Sequence, residues 1–296
     1  MQMTYDGAYS VEFGEHPVIL PNGKYSDAVR KHSWRDWHLV PTSRPVIQPP
    51  PVKKNTIEII GANSLIDLTD IPRGFPTYQN RTGSLEFYVD HSIPWKKGDN
   101  DVDYRWSTAY DEIKEYLHGQ RMNMYLSGDP EYYYTGRFTV DSWKSGNTIS
   151  TITIGYDLDP YKLKNYSTLE EWEWDPFIFD EENYIPNTNR GNYIRDLSEQ
   201  NYVMYSADDV GTMPVSPKFY LSDDISTIYA QVYTSFKGYW GDIVRIDRAL
   251  SGFEDLRLIF STPRKNDIVQ INFYSDENGT PATSGTVSID FRQGRL

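Results

Sequence analysis

Apolar residues in this chain return at every second position, in short runs fenced by turn residues, and that period decides most of what it can fold into. Leu85, Phe87 and Val89 alternate with polar neighbours. So do Leu256, Leu258 and Phe260, then Val269, Ile271 and Phe273, then Val287, Ile289 and Phe291. A two-residue period lays one face of a strand on a core and leaves the other in water. Turn chemistry separates the runs at Ser127-Gly128-Asp129-Pro130, Ser145-Gly146-Asn147, Asp276–Gly279 and Ser284-Gly285. The fold class expected is mainly β, all-β with one helix.

The helix is expected over 106–119. Trp106, Tyr110, Ile113 and Leu117 share one face of a 3.6-residue repeat. Ser107 or Thr108 is placed to cap its start, and Gly119 to stop it.

One stretch is specified more heavily than a plain connection needs. From Asn55 to Asp90 the chain reads NTIEIIGANSLIDLTDIPRGFPTYQNRTGSLEFYVD. Ile57 and Ile59 alternate at one end and Leu85, Phe87 and Val89 at the other, so strands against a core are expected at both. Between them Gly61, Pro72, Gly74, Pro76 and Gly83 break any helix, and Asp67, Asp70, Arg73 and Arg81 bring charge. A connection this long and this apolar is functional rather than disordered. It follows SWRDWHLVPTSRPVIQPPPVKKN (33–55), where the triplet Pro49-Pro50-Pro51 enforces an extended backbone after a Trp-rich, anchored run.

At 296 residues the chain has room for two domains or one large all-β domain. The composition shifts at LEEWEWDPFIFDEEN (169–183), acidic throughout with no basic residue. We place the boundary just before it, near Leu163–Thr168, giving an N-terminal domain of 1–165 and a C-terminal domain of 166–296 that this stretch leads into. The net charge of −13 argues against nucleic acid as a sequence-specific partner, since phosphate binding needs clustered Lys and Arg. There is no cysteine, which excludes disulfides, thiolate catalysis and Cys-ligated zinc. The start, MQMTYDGAYS, lacks the basic and apolar regions of a signal peptide, and no apolar run reaches the roughly 20 residues of a membrane span. A soluble protein without membrane insertion is expected.

Catalytic constellations do not emerge. His16, His32, His38, His91 and His118 fall in no metal-ligand spacing, and no nucleophile elbow or phosphate loop is present. No catalytic, cofactor-binding or metal residue is assigned, and a non-enzyme is expected. Trp172 and Trp174, within Glu170-Glu171-Trp172-Glu173-Trp174, and Trp240, beside Tyr239, are the candidates for stacking on sugar rings. The competing reading is a strand with its indoles packed and its carboxylates in solvent.

Several stretches together resemble the distal tail protein (Dit) family of siphophages. They are DWHLVPTSRPVIQPP (36–50) leading into NTIEIIGANSLIDLTD (55–70), PTYQNRTGSLEFYV (76–89), YLHGQRMNMYLSGDPEYYYTGRFTV (116–140), STITIGYDLDPYK (150–162) and the closing VSIDFRQGRL (287–296). Residues 33–162 carry most of the resemblance, in order and at matching spacing.

The resemblance implies a structural hub of the tail tip or baseplate. Its N-terminal domain would be a β-sandwich-like ring former, six copies enclosing a central channel for DNA passage. Its C-terminal domain would be a galectin-like or carbohydrate-module-like β-sandwich. The implied partners are copies of itself in a homo-hexamer, the major tail tube protein, a tail-associated tip protein and a receptor-binding protein. The implied location is the virion, after assembly in the host cytoplasm. The alternative is a carbohydrate-binding module that aids attachment to the host cell wall, with a host glycan as partner. Arg73 and Arg81 are the candidates for ring contacts with a neighbour's carboxylates; pairing within their own subunit is the competing reading.

Overall fold

A computed structural model describes residues 9–15, 30–59, 65–70, 75–90, 102–169, 193–248 and 255–296. The chain divides into two compact units, Met1–Thr69 with Pro76–Lys162, and Asp70–Phe75 with Leu163–Leu296. Both are built mainly of antiparallel strands, as the two-residue periods require.

The first unit holds β1 (Val11–Gly14), β2 (Arg30–His32), β3 (Val40–Pro41), β4 (Thr56–Glu58), β5 (Leu65–Asp67), β6 (Arg81–Asp90), β7 (Arg121–Leu126), β8 (Tyr132–Lys144) and β9 (Ile149–Leu158). Seven of them form one sheet in the order β2-β1-β7-β8-β9-β6-β3. The long β6 runs beside β9 from Arg81 opposite Leu158 to Asp90 opposite Ile149. That register puts Leu85, Phe87 and Val89 on the same face as Ile152, Ile154 and Leu158, and all six are buried.

Against that face lies α1 (Val102–Leu117). Trp106, Ala109, Ile113 and Leu117 are buried, while Tyr110 lies at the margin. The helix begins earlier than the sequence suggests, so Ser107 and Thr108 stand inside it rather than capping it. Gly119 does end it. Its backbone turns to φ +77°, open to glycine at little cost, and its N–H donates to the Phe138 carbonyl at 2.8 Å. The Trp-rich run is anchored in the same core. Trp37 is fully buried, with its ring 6.2 Å from Phe13, and Phe13 meets Phe138 edge-on at 5.2 Å.

The strand β10 (Lys162–Lys164) follows in the chain, and the second unit carries β11 (Ile194–Asp196), β12 (Tyr202–Ser206), α2 (Ala207–Val210), β13 (Lys218–Leu221), β14 (Thr227–Thr234), β15 (Tyr239–Trp240), β16 (Val244–Asp247), β17 (Ile268–Tyr274), β18 (Thr286–Asp290) and β19 (Gly294–Arg295). One sheet runs β11-β18-β13; the other runs β12-β17-β14-β15, with β16 also on β14. Their inner faces share a core in which Phe219 of β13 meets Phe273 of β17 edge-on at 6.3 Å. Two antiparallel sheets around one core make a β-sandwich. The closing segment is pinned into it. The buried Thr168 hydroxyl donates to the Ile289 carbonyl at 3.0 Å and accepts from the Phe291 N–H at 2.9 Å.

One expected strand is absent. Leu256, Leu258 and Phe260 alternate in sequence, yet Leu256–Leu258 is a 3-10 turn. The Asp255 carboxylate accepts from the Arg257 N–H at 2.8 Å and from its guanidinium at 2.7 Å. A short polar side chain that satisfies nearby backbone donors favours a turn over a ladder. Leu256 consequently points to solvent, and Phe260 alone makes a bridge, to Val215.

Candidate functional site

The described part of Asn55–Asp90 departs from expectation in an informative way. Its first half is a strand, but no core receives it. β4 pairs only with β5, with Ile57 opposite Ile66 and Glu58 opposite Leu65. All six residues of the two strands are exposed. Residues opposite each other across an antiparallel pair share a face, and the period of two extends that face along each strand. One face therefore carries Ile57, Ile59, Ile66 and Leu68, and the other Thr56, Glu58, Asp67 and Leu65. Ile57, Ile59, Leu65 and Ile66 are 50%, 43%, 60% and 44% exposed. A strand pattern with one aliphatic face is present as expected; what is missing, among the described residues, is anything in this chain that covers it.

The root of this hairpin is fixed. The Lys53 N–H donates to the Thr77 carbonyl and the Gln79 N–H to the Pro51 carbonyl, both at 2.8 Å. Val52 and Tyr78 form an antiparallel bridge between them. Nearer the hairpin, the Leu68 N–H donates to the Asn55 carbonyl at 2.7 Å, and the Thr69 hydroxyl accepts from the Asn55 N–H at 3.1 Å. The extended proline segment thus delivers the chain into an arm paired at its root and again from Asn55 to Glu58.

Of the two arginines proposed for subunit contacts, Arg73 lies outside the described residues. Arg81 is only 4% exposed and faces its own unit. Its Nε donates to the Pro160 carbonyl and its Nη1 to the Gln48 carbonyl, each at 2.9 Å, and its guanidinium carbon lies 5.5 Å from the centre of the Tyr134 ring. Burial lowers its pKa, while the Tyr134 and Tyr156 hydroxyls oppose that shift. Two carbonyls from distant parts of the chain converge on one planar donor, which is the geometry of an internal clamp on the proline segment. Pairing of Arg81 within its own subunit is therefore what the geometry favours.

Trp172 and Trp174 also lie outside the described residues. Trp240 is on the short strand β15, 39% exposed, its ring 5.2 Å from that of Tyr233. It faces the same way as the outward residues of β14. Sequence reasoning found this indole but not the polar side chains beside it, because their proximity depends on strand register. Among the described residues there is no group of three or more His, Asp or Glu able to hold a metal ion. No helix among them is long and apolar enough to cross a membrane.

No family model matches the sequence, and no curated protein does. Among solved structures, the insecticidal delta-endotoxin Cry8Ea1 from Bacillus thuringiensis aligns over 97% of this chain and 52% of its own, at 8% identity and a TM-score of 0.21. The structure is also similar to the SPP1 Dit (gp 19.1) protein, described as a paradigm of the hub adsorption apparatus in phages infecting Gram-positive bacteria. That alignment covers 97% of this chain and 99% of the other, at 12% identity and a TM-score of 0.48.

Proposed function

We propose that this chain is a structural subunit of a phage tail tip. Six copies form a ring around a channel that joins the tail tube to the adhesion proteins, with the first unit forming the ring and the second, the sandwich, facing outward. The observation that carries this reading is the hairpin β4–β5. It is firmly rooted, stands free of its own core and bears a continuous aliphatic face. An isolated two-stranded hairpin is marginal in water. Covering its half-exposed isoleucines on a neighbour contributes about 1 kcal/mol each. A head-to-tail ring commits two different faces of each subunit to its neighbours, and an arm on one copy with a receiving surface on the next satisfies that requirement. The resemblance of residues 33–162 to the distal tail family points the same way, since the hairpin and its proline lead-in fall inside it. Arg73, beyond the described residues, stays a candidate for the same contact.

Two-dimensional electron-microscopy class averages of the full chain test the reading. Sixfold rings with a central hole are the expected result. Single particles of monomer size, at high concentration and also with tube and tip proteins present, would overturn it.

A further inference from the structure

The outer face of the second unit's larger sheet carries an organised polar surface that a hub role does not require. The inward residues of β14 are Ile228, Ala230 and Val232, and those of β17 are Val269, Ile271 and Phe273, all buried. The alternate positions therefore face out. The register places Tyr229 opposite Tyr274, Gln231 opposite Asn272, and Tyr233 opposite Gln270. Four of these side chains, those of Gln270, Asn272, Tyr274 and Gln231, are joined in one chain of hydrogen bonds. Gln270 Nε2 donates to Asn272 Oδ1 at 2.8 Å, Asn272 Nδ2 to the Tyr274 hydroxyl at 3.1 Å, and that hydroxyl to Gln231 Oε1 at 3.0 Å. Gln231 Nε2 then donates to the Gly241 carbonyl at 2.9 Å, at the end of β15.

We propose that this face binds a neutral oligosaccharide. Three features lead there. Each amide uses one of its two N–H donors in the chain, and Gln270 Oε1 accepts from no group among the described residues, so a row of donors and acceptors is held in fixed orientation with capacity to spare. Ordering cost on binding is low when side chains already hold one another. Aromatic rings border the row: Tyr233, with the half-exposed Trp240 beside it, opposite Gln270, and Tyr229 opposite Tyr274, whose own ring carries the hydroxyl of the row. Flat apolar rings beside directional polar groups match a sugar ring, which has C–H faces and hydroxyl edges. Finally, the row itself carries no ionisable carboxylate, ammonium or guanidinium. On the adjoining strand β16, Arg245 stands opposite Tyr229 and remains exposed, but it is paired with Asp247 at 3.0 Å, so that the pair carries no net charge. An anionic or cationic ligand would leave its charge unpaired along the amide row. The four strands from β12 to β15, at about 4.8 Å spacing, span about 14 Å, the length of a short oligosaccharide.

Saturation-transfer NMR on the full chain tests the site. The probes are linear neutral oligosaccharides of glucose, galactose, rhamnose and N-acetylglucosamine, with a heparin fragment as the charged comparison. Transfer to ring protons of at least one neutral sugar is expected, with affinity about tenfold weaker in Trp240→Ala and in Gln270→Ala, or about 1.4 kcal/mol. Lys218→Ala, on the opposite sheet, should leave binding unchanged. Melting temperatures identify any variant that fails to fold, and the two substitutions sit on different strands, so one failure leaves the other informative. No transfer from any neutral sugar, transfer that survives both substitutions, or binding of heparin alone would overturn the proposal. The outcome is separable from the ring. Rings without sugar binding remove only this site, and sugar binding by a chain that never forms rings removes only the hub.

Discussion

The Arg81 guanidinium and the Gln48 carbonyl meet at 2.9 Å across 33 positions of sequence. The bond fixes the start of the proline segment to the first residue of β6, and so sets where the free hairpin emerges. Hydrogen bonds from charged donors to buried partners are worth about 1.5–3 kcal/mol. Arg81→Met should therefore lower stability by about 3 kcal/mol, since the Pro160 carbonyl loses its donor as well. Urea titration measures this. At a temperature where the variant remains folded, its state of assembly should match the parent chain, because the guanidinium acts inside its own unit.

Glycine is demanded at Gly211 and only preferred at Gly279. Both take positive φ, +81° and +86°. A Cβ at Gly211 would run into the Gly294 carbonyl oxygen, which already accepts from the N–H groups of Thr212 and Met213; a Cβ at Gly279 meets nothing. Gly279→Ala should cost about 1 kcal/mol, the ordinary penalty of a left-handed residue. Gly211→Ala should cost about 3 kcal/mol, because backbone must also move. Thermal melts of the two variants side by side give the comparison, and equal losses would contradict it.

His32 makes stability depend on pH. Its Nδ1 accepts from the N–H groups of Trp34 and Arg35, both at 3.1 Å, so the ring is held neutral in that turn. Burial lowers its pKa, Arg35 adds to that effect, and Glu12 and Asp36 oppose it. The folded value lies below the unfolded one, so between the two the unfolded chain binds more protons. The contribution is complete above about pH 6.5 and is lost as pH falls from there through the folded value. The melting temperature should drop between pH 7.5 and 5, and His32→Gln, which keeps an acceptor without titrating, should drop less. An equal drop in both proteins would remove His32 from the explanation.

Much of the fold is legible because burial writes it into the sequence. Leu85, Phe87 and Val89, or Val269, Ile271 and Phe273, alternate because one face of each strand must leave water. The same pattern misleads at Leu256 and Leu258, where Asp255 and Arg257 satisfy local backbone and side-chain groups and the ladder never forms. Ser107 and Thr108 have the chemistry of caps yet lie inside the helix, because the polar residues before Trp106 hide an additional helical turn. The aliphatic period of Ile57 and Ile59 was readable, but a pattern says only that a face must be covered, not which molecule covers it. The Gln231–Tyr274 row was invisible for another reason. Its members are 43 positions apart, and only the pairing of β14 with β17 brings them together.

In the proposed ring, the aliphatic face of β4–β5 holds one copy to the next. Native mass spectrometry of the parent chain and of an Ile57→Asp, Ile66→Asp double variant tests it directly. Both side chains are already in water within the single chain, so the variant should melt as the parent does under conditions where both are monomeric. Six-copy assemblies are expected for the parent and monomers for the variant. Six-copy assemblies that persist in the variant, or a parent chain that stays monomeric even with its tube and tip partners, would contradict it.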